Sequence, residues 1–128
     1  MDTLIIAIIV IVVLLAGGYW LLSRKRGLPE AVIVQTWRHW EALKTIGDSS
    51  RRVVEAEKIL DDILYRRGYK GSFADKMRSG GKALPNEQAV WDAHKMRNRI
   101  AHEVGYAPSE KEADRAVAAF EKALRSLL

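Results

Sequence analysis

Residues 96–103, MRNRIAHE, hold the side chains of this chain whose types and spacing could do chemistry. Two arginines, an asparagine and a histidine fall within about one and a half helical turns, a mixture that holding a helix together does not require. A histidine changes its charge near neutral pH, so it can transfer protons. Asn98 and His102 lie four residues apart, so on a helix the amide can contact the imidazole and fix its tautomer. The stretch is typical either of a solvated polar surface or of a site for proton transfer.

A helix over residues 86–104 must position these side chains. Asn86 is a suitable N-cap after Leu84 and Pro85, and Gly105 ends the apolar periodicity. With about 100° of rotation per residue, four apolar residues fall within about 60° of one another and predict a stripe that faces the core. This stripe consists of Ala89, Ala93, Met96 and Ile100.

The opposite face of this helix carries Trp91, Asn98 and His102. His94 lies at the edge of that face, and Arg97 lies between it and the core stripe, so its long side chain can reach either way. An exposed tryptophan beside arginine and histidine is typical of an interface. We therefore predict that the whole face is exposed and that Trp91 and His94 are interface residues.

The N-terminal part of the chain has the composition of a membrane span. Residues 4–22 contain no charge, and 19 residues at about 1.5 Å each cover the roughly 30 Å of bilayer hydrocarbon. Tyr19 and Trp20 suit a membrane interface. The span is followed directly by three membrane-flanking basic residues, Arg24, Lys25 and Arg26. By the positive-inside rule we predict an anchor over residues 1–26, with the N-terminus outside and the C-terminal domain in the cytoplasm.

The alternative interpretation of this segment is a cleaved signal peptide. A signal peptide has a positively charged start and a small-residue cleavage site. The chain starts with Met1, Asp2 and Thr3, and no such site follows the apolar run. We therefore expect residues 4–22 to stay in contact with membrane lipid.

The composition limits what the rest of the chain can be. The chain has 128 residues, so residues 27–128 can form one modest core and are predicted to be a single domain. The absence of cysteine excludes disulfides and thiolate chemistry. The net charge is +5, and without the three flanking basic residues and Asp2 it is +3, from 18 basic against 15 acidic residues. This balance does not indicate a strongly basic nucleic-acid-binding tail.

Helical periodicity runs through the whole of this domain. Apolar stripes predict helices from Pro29 to about residue 46, from about residue 53 to Gly68, and from Ser109 to the C-terminus. Ser72 with Asp75 resembles a capping box that opens a short helix to about residue 78, and Ser109 with Glu112 forms a second one. No segment alternates as a strand does. We predict an all-α domain, a four-helix bundle with one short extra helix, preceded by one transmembrane helix.

Arg97-Asn98, three residues and then His102 resemble the R-polar-x-x-x-H signature of HEPN domains. These are small all-α domains found in many prokaryotic toxins and defence ribonucleases. The segments LDDIL (60–64) and RRGYKG (66–71) and the closing stripe to Leu128 also resemble the helix order of that family. The resemblance covers roughly residues 33–128 and places the motif late in the penultimate helix.

The resemblance implies a dimer in which two motifs face each other across a cleft and cut RNA without a metal ion or another cofactor. His102 would be the general acid or base at the ribose 2′-hydroxyl or the leaving oxygen. Arg97 would steady the scissile phosphate with its planar cation, and Asn98 would position the histidine. Because the reaction needs a free 2′-hydroxyl, DNA would not be cut.

A second hypothesis is a non-catalytic HEPN-like module that dimerises or binds a partner at the membrane. Catalytic members often carry a tyrosine two residues after the histidine, whereas this chain has Val104 there. An antitoxin-like protein is the partner that the resemblance implies. A metal site is not predicted, because His94 and His102 are eight residues apart and no cysteine or local carboxylate set completes four ligands.

Overall fold

The fold, given by a computed structural model that describes residues 2–24 and 27–128, is built from α-helices alone. The six helices are α1 (Asp2–Arg24), α2 (Glu30–Lys44), α3 (Ser49–Arg66), α4 (Phe73–Gly80), α5 (Glu87–His102) and α6 (Glu110–Leu127). A short 3-10 turn, Gly81–Ala83, joins α4 to α5. The described ranges contain no strand, so the prediction of an all-α chain is confirmed.

Helix α1 has the length and composition of a membrane span. The apolar stretch Asp2–Leu22 is 21 residues long, and none of it is buried against the rest of the protein. An N-terminal signal sequence has the same length and composition. Lys25 and Arg26, two of the three predicted membrane-flanking residues, lie outside the described residues, and so does the side chain of Arg24.

The helix starts follow from local side-chain hydrogen bonds. Ser72 and Asp75 form a capping box at α4, and Ser109 and Glu112 form another at α6, so both predicted boxes are confirmed. Asp48 caps α3 by accepting hydrogen bonds from the backbone N–H groups of residues 50 and 51, a cap that the sequence analysis missed. These caps satisfy backbone donors that have no partner inside the helix.

Asn86 stands at the predicted start of α5, but it does not cap the helix with its side chain. Its Nδ2 atom donates instead to the backbone carbonyl of Ala119 on α6, at 2.9 Å. The predicted N-cap position of Asn86 is therefore confirmed, but its amide makes no capping hydrogen bond and instead ties the start of α5 to α6. The helix ends at His102, two residues before the predicted end.

The core lies around α3, which packs against α2, α4, α5 and α6. The predicted stripes on α2, α3 and α6 supply most of it, with Trp40, Leu60 and Phe120 fully buried at its centre. Burying side chains of this size supplies the main driving force for folding. The core also contains Glu57, a carboxylate on α3 that is only 5% exposed.

The core stripe predicted for α5 is partly wrong. Ala89 is exposed, whereas Val90 and Ala93 are buried, and Met96 and Ile100 are only partly buried against the core. The helix is therefore turned so that His94 and Arg97 face α3. The physical reason is Glu57, because a buried carboxylate must find cationic or hydrogen-bonding partners and α5 supplies them.

Candidate functional site

His94 lies in the interface between α5 and α3 instead of on the surface predicted for it. Its side chain is 12% exposed, and its Nδ1 atom lies 2.8 Å from Oε2 of Glu57. The Phe73 ring at the start of α4 packs against the imidazole, with 4.8 Å between the ring centroids. The prediction that His94 is an exposed residue is therefore wrong.

Asn98 is bonded to His94, one turn earlier on α5. Its Nδ2 atom lies 3.2 Å from Nε2 of His94. The hydrogen bonds of the described residues do not include the contact predicted between Asn98 and His102. Asn98 bonds instead to the histidine four residues before it, His94. The expectation that this amide orients the imidazole of His102 is thus wrong; it orients His94.

Arg97 is held by two of these neighbours. Its Nε atom lies 3.3 Å from Oε1 of Glu57, and Nη1 donates to Oδ1 of Asn98 at 3.5 Å, the outer limit of a hydrogen bond. The side chain is still 31% exposed, so part of the guanidinium reaches solvent. A cation fixed on one side and open on the other can bind an anion without first ordering itself.

His102 is the last residue of α5 and is exposed. Beside it, Arg99 forms an ion pair with Glu103 at 3.0 Å and stacks on the ring of Tyr106, 3.8 Å from its centroid. Five residues separate Arg97 from His102, which is about 140° beyond a full revolution of the helix. The two predicted catalytic side chains therefore leave α5 in different directions.

Trp91, predicted to be exposed on the far side of α5, is partly buried and packs against the core. Its ring meets His94 edge-on, with 5.9 Å between the ring centroids. The exposure predicted for Trp91 is wrong, because α5 turns this side toward its neighbours. Its role at an interface with another molecule stays a prediction.

A half-open depression of about 380 Å³ lies over this cluster. Arg97, Asn98 and His94 line it from α5, and Glu57 and Asp61 line it from α3. Lys76 on α4 is almost completely buried and pairs with Asp61 at 2.8 Å. His102 is not part of the lining, so the depression brings together two of the three predicted catalytic residues.

Glu57 is the residue of this site that the sequence analysis did not identify. Burial raises the pKa of Glu57 above its usual range, while the hydrogen bond to His94 and the nearby His94 and Arg97 lower it in part. The sequence does carry a signal, because Glu57 follows Val53 by four residues and precedes Leu60 by three, which is the spacing of a core-facing stripe. A carboxylate in such a stripe calls for a partner on another helix.

The arrangement offers no ready metal site. Among residues 2–24 and 27–128, no group of three or more His, Cys, Asp or Glu side chains could hold a metal ion. Comparison with protein-family models, with curated proteins and with solved structures finds no match to this chain.

Proposed function

We propose that the chain is a single-pass membrane protein, with residues 1–26 as the anchor and residues 27–128 as a cytoplasmic domain. The support is the uncharged run 4–22, which carries Tyr19 and Trp20 near its C-terminal end, and the three basic residues at positions 24–26. The segment before the run has no basic residue, so the charge difference favours an N-terminus outside.

We further propose that this domain is a HEPN-like four-helix bundle with a short extra helix, and that it cleaves RNA as a dimer without a metal ion. The observation that carries the proposal is the state of Arg97: the guanidinium is clamped by Glu57 yet 31% exposed. A fixed, always charged, planar cation suits a phosphate whose charge changes during reaction. His102 is exposed and supplies the acid–base group.

The dimer follows from the directions in which the two side chains leave the helix. Within one chain, Arg97 turns toward α3 while His102 leaves α5 about 140° away, so a single copy does not aim both at one phosphate. A second copy can present its own His102 to a phosphate held by Arg97. Asn98 then acts on Arg97 and His94 rather than on His102.

The test is RNA cleavage by the full chain in detergent micelles with EDTA present. We expect wild type to cut single-stranded RNA and to leave DNA of the same sequence and 2′-O-methyl RNA intact, because the reaction uses the 2′-hydroxyl. His102→Ala should lower the rate at least about 100-fold, the scale of general acid–base catalysis. The matched control is His39→Ala, which removes an exposed histidine from α2.

Two results would overturn the assignment. Cleavage unchanged in a folded His102→Ala chain would remove His102 from the reaction. Cleavage lost equally in His39→Ala would point to a general effect of histidine removal on the protein and not to a role of His102. Circular dichroism of each variant establishes that the helices are retained.

A non-catalytic module that dimerises or recruits a partner, such as an antitoxin-like protein, is the second candidate function. The observation that favours it is that two motif residues have partners inside the domain. Asn98 bonds to His94, and Arg97 pairs with Glu57 of α3. Under this alternative, the full chain is a dimer by analytical ultracentrifugation in detergent, and RNA remains intact in the same assay.

A further inference from the structure

Glu57, a buried carboxylate, is the starting point of a ring of three hydrogen bonds and one ion pair between α3 and α5. The carboxylate side chain is 7% exposed, and a buried carboxylate without partners is strongly unfavourable. Both of its oxygens are engaged, Oε2 with His94 at 2.8 Å and Oε1 with Arg97 at 3.3 Å. One carboxylate thus fixes two side chains of α5 at once.

The ring closes through Asn98. Its amide nitrogen lies 3.2 Å from Nε2 of His94, and its amide oxygen accepts from Nη1 of Arg97. The four residues Glu57, His94, Asn98 and Arg97 therefore form a circuit in which each touches the next. This circuit is called the Glu57 ring below.

The chemistry of the partners fixes the proton positions in the Glu57 ring. The guanidinium can only donate, so the amide oxygen of Asn98 must face it and the amide NH₂ must face His94. Nε2 of His94 is then an acceptor, and the proton sits on Nδ1, where it is donated to the carboxylate of Glu57. With the imidazole proton on Nδ1, every donor in the Glu57 ring faces an acceptor.

The surroundings make the Glu57 ring rigid on one side and open on the other. Phe73 and Trp91 pack on the imidazole, and Lys76 neutralises the neighbouring Asp61 by an ion pair at 2.8 Å. The open side is the depression, which Arg97 and Asn98 line. The guanidinium is therefore presented to the depression by a support that is itself largely buried.

We propose that Glu57 and His94 are positioning residues that hold the guanidinium of Arg97 in place for an RNA phosphate bound in the depression. This inference rests on the proposed RNA cleavage and adds two residues that lie outside the R-polar-x-x-x-H motif. Both residues lie in the wall of the depression with only 7% and 12% of their side chains exposed, so we assign them to positioning and not to contact with the reacting atoms. Glu57 acts through Arg97 directly, and His94 acts through Asn98.

Glu57→Gln tests the inference with little change of volume. The amide has one oxygen and no charge, so it cannot keep both the hydrogen bond with His94 and the ion pair with Arg97. The Glu57 ring then opens, and the guanidinium loses its fixed direction. We expect kcat of RNA cleavage to fall about 100-fold, the cost of a misplaced group near a reacting centre, with KM changed less. The matched control on the same helix is Glu55→Gln, whose carboxylate pairs with Lys58 near the surface.

A second variant and a spectroscopic measurement separate positioning from loss of fold. His94→Phe keeps a ring beside Phe73 but removes both nitrogens, and like Glu57→Gln it should lower kcat. In wild type, the ¹⁵N spectrum of labelled histidine should show His94 as the neutral imidazole protonated at Nδ1. Glu57→Gln should shift it toward the Nε2–H tautomer, while Glu55→Gln leaves it unchanged.

The outcomes distinguish this inference from the proposed function. A folded Glu57→Gln chain that cleaves RNA as fast as wild type, or faster, would overturn the inference while cleavage itself stands. If wild type cuts no RNA, the proposed catalysis fails, and the affinity for 2′-O-methyl RNA decides the positioning role. Weaker binding in both Arg97→Ala and Glu57→Gln, but not in Glu55→Gln, would support it; unchanged binding in Glu57→Gln would overturn it.

Discussion

At the scale of single residues, Glu57 has the most consequence for its neighbours. It occupies a core-facing position on α3, between Val53 and Leu60, where an apolar side chain would cost nothing to desolvate. Its carboxylate instead draws His94 and Arg97 of α5 inward. Replacing buried ionic groups by apolar ones is often neutral or stabilising, so stability alone does not account for this cluster.

The raised pKa of Glu57 gives its contribution to stability a defined dependence on pH. Burial raises the folded-state pKa above the ordinary value of 4.5, so protonation of Glu57 is more favourable in the folded than in the unfolded protein. The contribution is complete below that ordinary value and is lost as the pH rises through the higher folded-state pKa. We therefore expect the free energy of unfolding of wild type, relative to Glu57→Gln, to decrease as the pH increases above about 4.5.

Urea unfolding at a series of pH values, followed by tryptophan fluorescence, measures this difference. The groups that face Glu57 are His94, Arg97 and Asp61, and the first two lower its pKa while Asp61 raises it. In a His94→Phe background the decrease should extend to higher pH, because the hydrogen bond that lowers the pKa is gone. A difference that is constant with pH, or that increases, would contradict the predicted direction.

At the scale of the elements, caps and turns set where each helix begins and ends. Three of the five helices after α1 have side-chain caps, at Asp48, Ser72 and Ser109. Gly68 and Gly105 follow α3 and α5 with positive φ values of 99° and 77°, a conformation that other residues adopt only at a cost. These signals are local, which is why the sequence predicts most of the helix ends closely.

The cap of α6 provides a test at this scale. The Ser109 hydroxyl accepts from the backbone N–H of Glu112 at 3.1 Å, and the Glu112 carboxylate accepts from the backbone N–H of Ser109 at 2.8 Å. Ser109→Ala should lower the free energy of unfolding by about 1 kcal/mol, the usual loss for an N-cap. Urea unfolding measures it.

Ser50→Ala is the matched control for this change. Ser50 is the second residue of α3 and does not occupy a cap position, so its replacement should change the free energy by less than about 0.5 kcal/mol. Equal losses in the two variants would show that the capping box does not stabilise α6. The larger loss of unfolding free energy is expected in Ser109→Ala because the side chains of Ser109 and Glu112 accept hydrogen bonds from two backbone N–H groups at the start of α6.

At the scale of the whole molecule, an unburied apolar helix precedes a packed helical region. The apolar window of α1 is not buried inside the protein, whereas α3 packs against four other helices. An unburied apolar surface of this length requires another apolar environment. A lipid bilayer supplies it, which is the basis of the proposed anchor.

Membrane insertion of α1 can be tested by placing a charge at its centre. Val12→Arg should reduce the fraction of the chain that stays in membranes after alkaline carbonate washing, since an arginine there costs about 2.5–3.5 kcal/mol on insertion scales. Val12→Leu is the matched control and should behave as wild type. An intact mass that retains residues 1–26 is also expected, whereas a mature chain lacking them would show that the segment is a signal sequence.

The features that depend on local interactions can be predicted from the amino-acid sequence. Apolar spacing located the helices, and two capping boxes fixed the starts of α4 and α6. The stripes on α3 and α6 identified most of the core because amphipathic helices bury their apolar side. The motif at Arg97, Asn98 and His102 was also read directly from residue types and spacing.

The orientation of α5 about its axis, and the pairs of side chains that meet across it, depend on long-range packing. A helical wheel ranks residues by polarity, so it placed Ala89 inside and His94 outside, whereas the structure has the reverse. The reason is that Glu57 precedes His94 by 37 residues in the sequence, so a helical wheel of α5 does not contain it. The two side chains meet only because α3 packs against α5. The bond of Asn98 to His94 instead of His102 follows from that same long-range contact, which no local spacing contains.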